Sequence, residues 1–443
     1  MDATDRFTGF VRSARDSGRL VVQPRMGFGE LHRMRAGLRA VRDADATTVG
    51  TVTLDSYTRC HDDAAARRAL REHPGDLNGF PLLAHGVPAV RSLLQEVSSP
   101  DFPVQVRHGT PRPLRLFRAM AEAGADATEG GPVSYCLPYG RVPLARAVQE
   151  WSAGCELLAA QPVPPHMETF GGCMLGQLCP PSLLVALSVL EAMFFQRHGL
   201  RGISLSYAQQ IHAGQDLEAL AALRRLADER LSGSAHHIVL YTFMGVFPRT
   251  ELGSRRLLAA SARLAARGGA DRLVVKTPAE AHRIPTVEEN VAALEYAGSV
   301  AADEAADEAE GADGGPPATA SGLYEEARTL VDAALETGGT LGECLVAAFA
   351  RGVLDVPYCL HPDNANRSRA TIDARSMLVW SRAGAMPVTP TRTAAAARVT
   401  ARQLTELLTF NSRRFDGSDG LDRCDRFDRS DRYERQRPLR SAS

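Results

Sequence analysis

The sequence predicts an α/β protein, a (β/α)8 barrel of the TIM type with C-terminal additions and a disordered tail. Short apolar runs rich in Val, Ile, Leu and Tyr recur along the chain, and helix formers with apolar residues at a 3.6-residue period separate several of them. The 443 residues, of which 44% are hydrophobic, suffice to bury a large core. Strands that alternate with helices form parallel sheets, and eight such units close into a barrel.

Eight segments are the predicted strands. In chain order they read TTVGTVTLDSY, GFPLLAHG, FPVQVRHG, GPVSYCLPY, HMETFGG, GISLSYA, HHIVLYTFMG and DRLVVKT. The helical stretches DLEALAALRRLADERL and SRRLLAASARLAARGGAD lie among them. An open doubly wound sheet is the alternative, but its phosphate loops, G-x-G-x-x-G or G-x-x-x-x-G-K-[ST], do not follow any strand.

Composition divides the chain into four predicted regions. Residues 1–299 hold the catalytic barrel. Residues 300–322 are acidic and rich in Ala, Gly and Pro, which predicts a flexible insert because such a segment cannot build a core. Residues 323–408, which begin with the helical pattern LYEEARTLVDAALE, are expected to be folded and mainly helical. Residues 409–443 are an Arg/Asp mixture with few apolar residues, which predicts a disordered tail.

Charge and apolar content narrow the classes of function. The formal net charge is −1, so no basic field predicts a nucleic-acid partner. No stretch approaches the ~20 apolar residues of a membrane span, and the N-terminal segment lacks the apolar core of a signal peptide. The prediction is therefore a cytoplasmic protein with a small-molecule or protein partner and no membrane contact.

The eight cysteines are scattered without any C-x-x-C pair, which predicts free thiols and no metal site on this chain. His166-Met-Glu168 matches the H-x-E part of the zinc deaminase signature, but the P-C-x-x-C part is absent.

Basic residues gather near predicted strand ends, where barrel enzymes carry their chemistry. Arg59 ends the first predicted strand, Arg107 and His108 end the third, and Arg25 lies in the loop before the first. Guanidinium groups bind carboxylates through paired hydrogen bonds, so arginines converging on one cavity favour a small substrate with two carboxylates. Ordinary ion pairs at the barrel rim remain the alternative.

The segment ATEGGPVSYCLPYGR adds a carboxylate, Glu129, and two phenols, Tyr135 and Tyr139. Glu129 could bind an ammonium group or act as a base, while the phenols donate hydrogen bonds. An amino acid with a side-chain carboxylate matches this set. The alternative is that both tyrosines are packing residues of a strand.

Lys276 is the only lysine, since fifty of the 51 basic Lys and Arg residues are arginine. It ends the last predicted strand, and Glu280 follows four residues later. A Schiff-base nucleophile or a donor to a bound cofactor would need this side chain, because arginine is bulkier, planar and always charged.

A series of motifs in this order resembles the large (epsilon) subunit family of methylaspartate mutase, also called glutamate mutase. The motifs are QPRMG, TVTLDSYTR, LNGFPLLAHG, VRHGTP, EGGPVSYCLPY, MGVFP and VVKTPAEAHRIPT. The resemblance covers residues 21–299 and, more weakly, GVLDVPYCLHPDNANRSRATID. It implies a (β/α)8 barrel and an isomerase that uses adenosylcobalamin to interconvert L-glutamate and threo-3-methyl-L-aspartate by a radical rearrangement.

The resemblance also implies roles for single residues. Arg25, Arg59, Arg107 and His108 would hold the substrate carboxylates, and Glu129, Tyr135 and Tyr139 would complete the pocket, with Glu129 and Tyr139 catalytic. The residues implied to lie against adenosylcobalamin are Gly27, Asn78, Pro138, Phe247, Lys276, Glu280 and Ile284.

Partners follow from the same resemblance. The cobalamin-binding motif D-x-H-x-x-G, whose histidine is the lower cobalt ligand, is absent. A separate small cobalamin-binding (sigma) subunit is therefore expected to supply that ligand, with a homodimer of large subunits forming a heterotetramer. Two other hypotheses stay open: a Schiff-base aldolase or decarboxylase that uses Lys276, and a catalytically inactive amino-acid-binding paralogue.

Overall fold

Parallel strands form one nearly closed barrel in the computed structural model, which describes residues 5–138, 140–174, 178–310, 322–391 and 399–417. The strands are β1 (Val21–Gln23), β2 (Gly50–Thr53), β3 (Val104–Arg107), β4 (Ala127–Gly130), β5 (His166–Thr169), β6 (Gly202–Ala208), β7 (Ala235–Tyr241) and β8 (Arg272–Val274). Neighbours pair in the order β1-β8-β7-β6-β5-β4-β3-β2. A parallel bridge between Val22 and Thr48 joins β1 to the segment before β2 and brings the ends of the sheet together. The predicted barrel is confirmed.

Two of the eight predicted strands are wrong. The GFPLLAHG segment contributes one bridge, between Leu54 and Phe80, and then turns into a helix at Leu82. The GPVSYCLPY segment forms a turn, because β4 has already ended at Gly130. The strands missing from the prediction are β4 itself, which carries two polar residues among four, and β1, whose three residues are too few to show a pattern.

A helix or group of helices follows each strand and surrounds the barrel. The helices up to the end of the barrel are α1 (Arg6–Asp16), α2 (Leu31–Arg42), α3 (Ser56–Arg59), α4 (Asp63–Glu72), α5 (Leu82–His85), α6 (Val87–Val97), α7 (Leu114–Ala123), α8 (Leu144–Ala159), α9 (Pro181–Arg197), α10 (Ala213–Arg230), α11 (Glu251–Arg267) and α12 (Val287–Glu310). Helix α1 precedes the barrel and covers its N-terminal end, where the Phe7 ring stacks on His166 with centroids 5.1 Å apart.

The barrel interior carries polar groups at the level where many barrels hold branched apolar side chains. Gln23 donates from Nε2 to Thr51 Oγ1 at 2.8 Å, so neighbouring strands are linked across the interior. Beside them, Arg272 of β8 forms a fully buried ion pair with Glu168 of β5. Removing either partner alone would leave a buried charge without a counter-charge, which is a large energetic cost.

The C-terminal region packs against the outside of the barrel. Its elements are α13 (Leu323–Leu335), α14 (Leu341–Arg351), the antiparallel pair β9 (Arg369–Ile372) and β10 (Leu378–Arg382), α15 (Ala401–Leu408) and α16 (Phe410–Asp416). Trp380 Nε1 donates to Glu326 Oε1 at 2.9 Å and ties β10 to α13.

Two predicted boundaries differ from the structure. Helix α12 continues to Glu310 although a flexible insert was expected from residue 300, because Ala and Glu at 300–310 extend its helical pattern. Helix α16 occupies residues 410–416 of the predicted disordered tail, because Phe410 and Phe415 pack on an apolar cluster. The rest of the insert, 311–321, and of the tail, 418–443, lies outside the described residues. No helix in the described part combines the length and apolar character required to span a membrane.

Candidate active site

A cavity of about 360 Å³ opens at the carboxyl ends of the barrel strands, a volume suited to a small molecule. We call it the mouth cavity. Predicted substrate-binding residues line it together: Arg25, Arg59, Arg107, His108, Glu129 and Tyr135. The remaining one, Tyr139, lies outside the described residues.

Three arginines reach the mouth cavity from neighbouring strands. Arg107 is the last residue of β3, and Arg25 follows β1, which corrects its predicted place before the first strand. Arg59 lies on the short helix α3 and donates from Nε to the Leu54 carbonyl at 2.7 Å. Burial lowers the pKa of Arg59, and the nearby charges of Arg107 and Arg25 act in the same direction. An anion bound among the three groups would relieve this repulsion.

Glu129, at the wall of the mouth cavity, is buried and surrounded by donors. Arg107 Nε donates to its Oε2 at 2.7 Å, Tyr135 donates to its Oε1, and the Tyr241 hydroxyl lies 2.9 Å from Oε2. Burial alone would raise the pKa of Glu129. The charge of Arg107 and the hydrogen bonds from Arg107, Tyr135 and Tyr241 outweigh it and lower that pKa. Glu129 is therefore ionised at neutral pH.

The turn after β4 brings Tyr135 back onto Glu129. Gly130 has a φ of 129°, and a Cβ at that position would lie 2.5 Å from the Tyr135 ring. Glu191 of α9 holds the turn from below, accepting backbone hydrogen bonds from Val133 and Ser134 at 3.2 and 2.8 Å. Burial raises the pKa of Glu191 to about 7. A β-strand over this segment, as predicted, would carry Tyr135 onward with the strand instead of folding it back onto Glu129.

His108 is a neutral imidazole at the cavity wall. Burial lowers its pKa to about 3, and its Nδ1 accepts the Thr110 backbone N–H at 3.2 Å. The neutral tautomer then carries its proton on Nε2, which has no partner among the described residues.

Residues predicted to contact a cofactor lie next to the mouth cavity on the side of β8. The Lys276 ammonium lies 4.3 Å from the centre of the Phe247 ring. Glu280, which was predicted beside Lys276, is close enough for its charge to act on Lys276, and it forms an ion pair with Arg25 at 2.8 Å. Burial lowers the pKa of Lys276 to about 8, with Arg25 acting in the same direction and Glu280 opposing it.

The other predicted cofactor residues are more spread out. Gly27 leaves no room for a side chain, because a Cβ would lie 2.2 Å from the Thr53 carbonyl oxygen. Asn78 Oδ1 accepts the backbone N–H of Ser56 at 3.0 Å, and Ser56 lines the mouth cavity. Pro138 ends the turn that carries Tyr135. Ile284 does not line the mouth cavity; it is exposed at the edge of a second cavity of about 440 Å³.

Three interior residues that extend the site were not predicted: Glu168, Tyr241 and Arg272. Glu168 matched part of the zinc deaminase signature, and Tyr241 lies within the predicted strand HHIVLYTFMG. The sequence did contain a signal for two of them: a charged residue inside a short strand segment, Glu168 in HMET and Arg272 in DRLV. Such charges are almost never fully buried unless they are paired.

Comparison with known proteins gives the family. The family described as methylaspartate mutase E chain (MutE) matches residues 1–413. The chain belongs to the methylaspartate mutase E chain family. The resemblance of its motifs is thereby confirmed over more of the chain than the motifs themselves cover.

Relatives of this family are named glutamate mutase epsilon subunit. The protein from Haloarcula marismortui is 32% identical over 365 residues, which is 80% of this chain and 73% of its own length. That from Desulfitobacterium hafniense is 32% identical over 359 residues, 78% of this chain and 73% of its own. That from Escherichia coli O157:H7 is 28% identical over 402 residues, 86% of this chain and 81% of its own.

Solved structures with a similar chain path are more distant. A truncated 3-deoxy-D-arabino-heptulosonate 7-phosphate synthase from Thermotoga maritima is 13% identical, covers 67% of this chain and 87% of its own, and has a TM-score of 0.35. A phosphonomutase-like protein from Burkholderia cenocepacia J2315 is 14% identical, covers 60% and 91%, and has a TM-score of 0.33.

Proposed function

We propose that this chain is the large catalytic subunit of an adenosylcobalamin-dependent isomerase that rearranges L-glutamate to threo-3-methyl-L-aspartate. The observation that carries this proposal is the convergence of Arg25, Arg59 and Arg107 with the ionised Glu129 on one cavity. The relatives named glutamate mutase epsilon subunit support it.

The charge pattern of the mouth cavity suits an amino acid with two carboxylates. Guanidinium groups bind carboxylates bidentately, and Arg25 and Arg59 approach the cavity from different elements, so each can take one carboxylate of the substrate. Glutamate and methylaspartate share this arrangement of two anionic groups and one ammonium.

Glu129 and Arg107 have linked roles in this proposal. Arg107 Nε is already committed to Glu129, which keeps the carboxylate ionised and fixed in direction. The ionised Glu129 can then bind the substrate ammonium and accept a proton from it. Tyr135 and Arg107 hold Glu129 in place, so no reorganisation is required when the substrate binds. We expect Tyr139, in the same segment, to act with Glu129.

The groups next to the mouth cavity fit an adenosyl group. A compact ammonium at Lys276, the carboxylate of Glu280 and the face of Phe247 offer a donor, an acceptor and a stacking surface to ribose hydroxyls and a base. Around them, Gly27, Asn78, Pro138 and Ile284 would complete the contact with adenosylcobalamin. When bound, this cofactor supplies the radical that removes a hydrogen atom from the substrate carbon.

The assembly is proposed on the same basis. A small cobalamin-binding (sigma) subunit would bring the cofactor, including the lower cobalt ligand, to the mouth of the barrel. We expect two large subunits and two small ones in a cytoplasmic heterotetramer. In this arrangement the chain's own residues bind the substrate, orient it and exclude water, while the partner carries the corrin.

A Schiff-base aldolase or decarboxylase is the second candidate. The burial of Lys276 favours it, because a pKa of about 8 leaves more neutral amine available at neutral pH than an exposed lysine has. Borohydride treatment with a keto acid would then trap an adduct at Lys276. A mutase gives no such adduct, and a non-catalytic amino-acid-binding paralogue would bind L-glutamate without turnover.

The deciding experiment combines the purified chain with adenosylcobalamin, L-glutamate and a small subunit, and follows 3-methylaspartate by mass spectrometry. Product that requires all components supports the mutase. If no product forms with a cobalamin-loaded partner, borohydride trapping at Lys276 supports the aldolase. If no adduct is trapped and calorimetry shows that L-glutamate binds, the results support the paralogue.

A further inference from the structure

The hydroxyl of Tyr241 lies between two buried carboxylates. It is 2.9 Å from Glu129 Oε2, at the wall of the mouth cavity, and it also donates to Glu168 Oε1, inside the barrel. Arg107 Nη2 donates to the same phenol oxygen at 3.3 Å. A phenol has one hydrogen, so Tyr241 can donate to only one of the two carboxylates at a time.

Glu168 has no contact with the mouth cavity. Its other oxygen accepts from Arg272, from Gln105 Nε2 at 3.2 Å and from the Ser204 hydroxyl at 3.4 Å, and its side chain is fully buried. The catalytic roles proposed above leave this carboxylate unused. Its link to the site runs through one phenol oxygen.

Charged and titratable groups from several elements surround the three residues. They are Arg59 of α3, Arg107 of β3, His108 after β3, Tyr135 after β4, Cys173 after β5, His237 of β7 and Arg272 of β8. Arg107 and Arg59 act on Glu129, and Arg272 pairs with Glu168, so each carboxylate that could carry an added proton has a guanidinium partner.

We propose that Tyr241 passes a proton between Glu129 and Glu168. This inference rests on the proposed function, in which Glu129 accepts a proton from the substrate ammonium. Glu129 then donates that proton to the Tyr241 oxygen while the Tyr241 hydroxyl hydrogen moves to Glu168 Oε1. The Glu129 O–H bond breaks as a new one forms at the Tyr241 oxygen, and the original Tyr241 O–H bond breaks as one forms at Glu168 Oε1. Tyr241 stays neutral, Glu129 returns to the carboxylate, and Glu168 becomes the neutral acid.

The relay keeps Glu129 available to the substrate. The stored proton sits on Glu168 in the barrel interior, away from the cavity, and the reverse movement returns it to the amine before the product leaves. The Tyr241 ring is held independently of its hydroxyl: Phe170 packs against it with centroids 5.6 Å apart, and the Arg107 guanidinium lies 5.2 Å from its centre. Tyr241→Phe therefore removes the relay and keeps the packing.

The test compares Tyr241→Phe, Glu168→Gln and the double variant in the reconstituted enzyme. We expect each single variant to lower kcat by at least about tenfold, with little change in KM for L-glutamate, since proton transfers typically contribute more than that factor. The double variant should be no slower than the slower single variant, because both break one path. If Glu168→Gln keeps full kcat, Tyr241 serves only as a donor to Glu129 and the relay is wrong.

Tyr207→Phe is the matched control. Tyr207 is another fully buried barrel-strand tyrosine, and its hydroxyl donates to a carboxylate, Asp216, at 2.7 Å. It does not line the mouth cavity, and we expect its kcat to equal that of the unmodified enzyme. Because Glu168→Gln leaves Arg272 without a counter-charge, Glu168→Gln/Arg272→Gln is the companion variant if the single one fails to fold.

A measurement on the isolated chain separates this inference from the proposed function. An infrared pH titration should show a carboxyl band that Glu168→Gln removes, and Tyr241→Phe should shift the midpoint of that band while Tyr207→Phe does not. An unshifted midpoint overturns the relay. A shifted midpoint in a chain that forms no methylaspartate with its partner supports the proton coupling and rejects the mutase.

Discussion

The surroundings of Lys276 explain why arginine cannot replace it. Its ammonium lies over the Phe247 ring in a nearly closed space beside the Arg25–Glu280 pair. A guanidinium is planar and larger, so it would displace Phe247 or Arg25. We expect Lys276→Arg to reduce cofactor-dependent turnover by at least about tenfold, on the scale of other misplaced positioning groups.

The assay for Lys276→Arg is the formation of methylaspartate at several cofactor concentrations, with circular dichroism to establish folding. Arg255→Lys is the control. It makes the opposite exchange, arginine to lysine, on α11, where the Arg255 guanidinium lies over the Tyr296 ring outside the mouth cavity. Equal turnover of Lys276→Arg and the unmodified chain would make the single lysine a coincidence.

The pKa of Lys276 predicts an alkaline limit for the proposed cofactor binding. Burial lowers this pKa to about 8, so the ammonium is present below that pH and is lost above it. If the charged form contacts the cofactor, affinity should be full below pH ~8 and should fall as pH rises through it. A titration of cofactor affinity against pH measures this limit.

Glu280→Gln tests whether the alkaline limit belongs to Lys276. The negative charge of Glu280 raises the pKa of Lys276, so its removal should move the alkaline limit to lower pH. Glu289→Gln, which removes a surface carboxylate paired with Arg283, should leave the limit in place. A limit that does not move in Glu280→Gln would assign it to another group.

The Arg107–Glu129 pair contributes to both stability and chemistry. Glu129→Gln leaves the buried Arg107 without its counter-charge, so we expect the free energy of unfolding to fall by about 3–5 kcal/mol and the rearrangement to slow. Chemical denaturation and the turnover assay measure the two effects. Glu150→Gln, which removes the partly buried partner of the exposed Arg146, should cost less than about 1 kcal/mol. An unchanged rate in Glu129→Gln would refute the pocket assignment.

The sequence predicted the outer part of the site and missed its inner part for a physical reason. Arg59, Arg107 and Glu129 lie in or just after strands, in segments whose residue types indicate ligand binding even before the partners are known. Tyr241 and Glu168 acquire their role from each other, through contacts between β7 and β5 across the barrel interior. Cross-barrel contacts depend on strand tilt and register, which short apolar patterns do not encode.

At the scale of elements, the turn after β4 decides whether the site forms. A Cβ on Gly131 would lie 1.9 Å from the Glu191 carboxylate, which holds the turn. Gly131→Ala should therefore displace Glu191 or the turn and lower the free energy of unfolding by at least about 2 kcal/mol, with loss of turnover.

Gly9→Ala is the control for that prediction. Gly9 lies within α1, where an added Cβ meets nothing within 4 Å, so alanine should stabilise the helix by about 0.5–1 kcal/mol. Thermal or chemical denaturation of both variants measures the difference. A Gly131→Ala variant as stable as the unmodified chain would show that the turn adapts and that its geometry is not specified by Glu191.

Elements were predicted best where the pattern was long. Strands β6 and β7 have seven residues each. Strand β6 falls within its predicted segment and β7 overlaps its predicted segment almost completely, whereas the three-residue β1 was missed. The missed β1 also placed Arg25 before the barrel instead of after its first strand. The turn that carries Tyr135 was predicted as a strand because its apolar and aromatic residues favour strands locally, and the glycines that precede it overrule that preference.

At the scale of the whole molecule, the C-terminal helices build part of the wall behind Phe247. Phe247 belongs to an apolar cluster to which α15 contributes Leu404 and Leu407 and α16 contributes Phe410 and Phe415. This contact joins residues more than 150 positions apart in sequence. The prediction of a disordered tail from residue 409 missed this contact, because the apolar residues that form the contact are few and lie among arginines.

Asp416 fixes the same region by hydrogen bonds. Its carboxylate accepts from the backbone N–H groups of Arg249 and Thr250 at 2.8 and 3.0 Å and from the Thr250 hydroxyl at 2.6 Å. Since Phe247 lies two residues before Arg249, Asp416 holds the loop that presents Phe247 to Lys276. The C-terminal helices therefore take part in shaping the proposed cofactor surface although they contribute no residue to the mouth cavity.

Asp416→Ala should weaken cofactor binding without changing the chemistry. Loss of these hydrogen bonds frees the loop, so we expect the cofactor concentration at half-maximal rate to rise about five- to thirtyfold, which corresponds to roughly 1–2 kcal/mol, while kcat at saturation is unchanged. Glu406→Ala, which removes the partner of the largely exposed Arg402 on α15, should leave both values unchanged. A lower kcat of Asp416→Ala at saturating cofactor would contradict this prediction. It would mean that α16 affects the substrate-binding mouth cavity, because only a disturbed mouth cavity would slow the complex that already holds its cofactor.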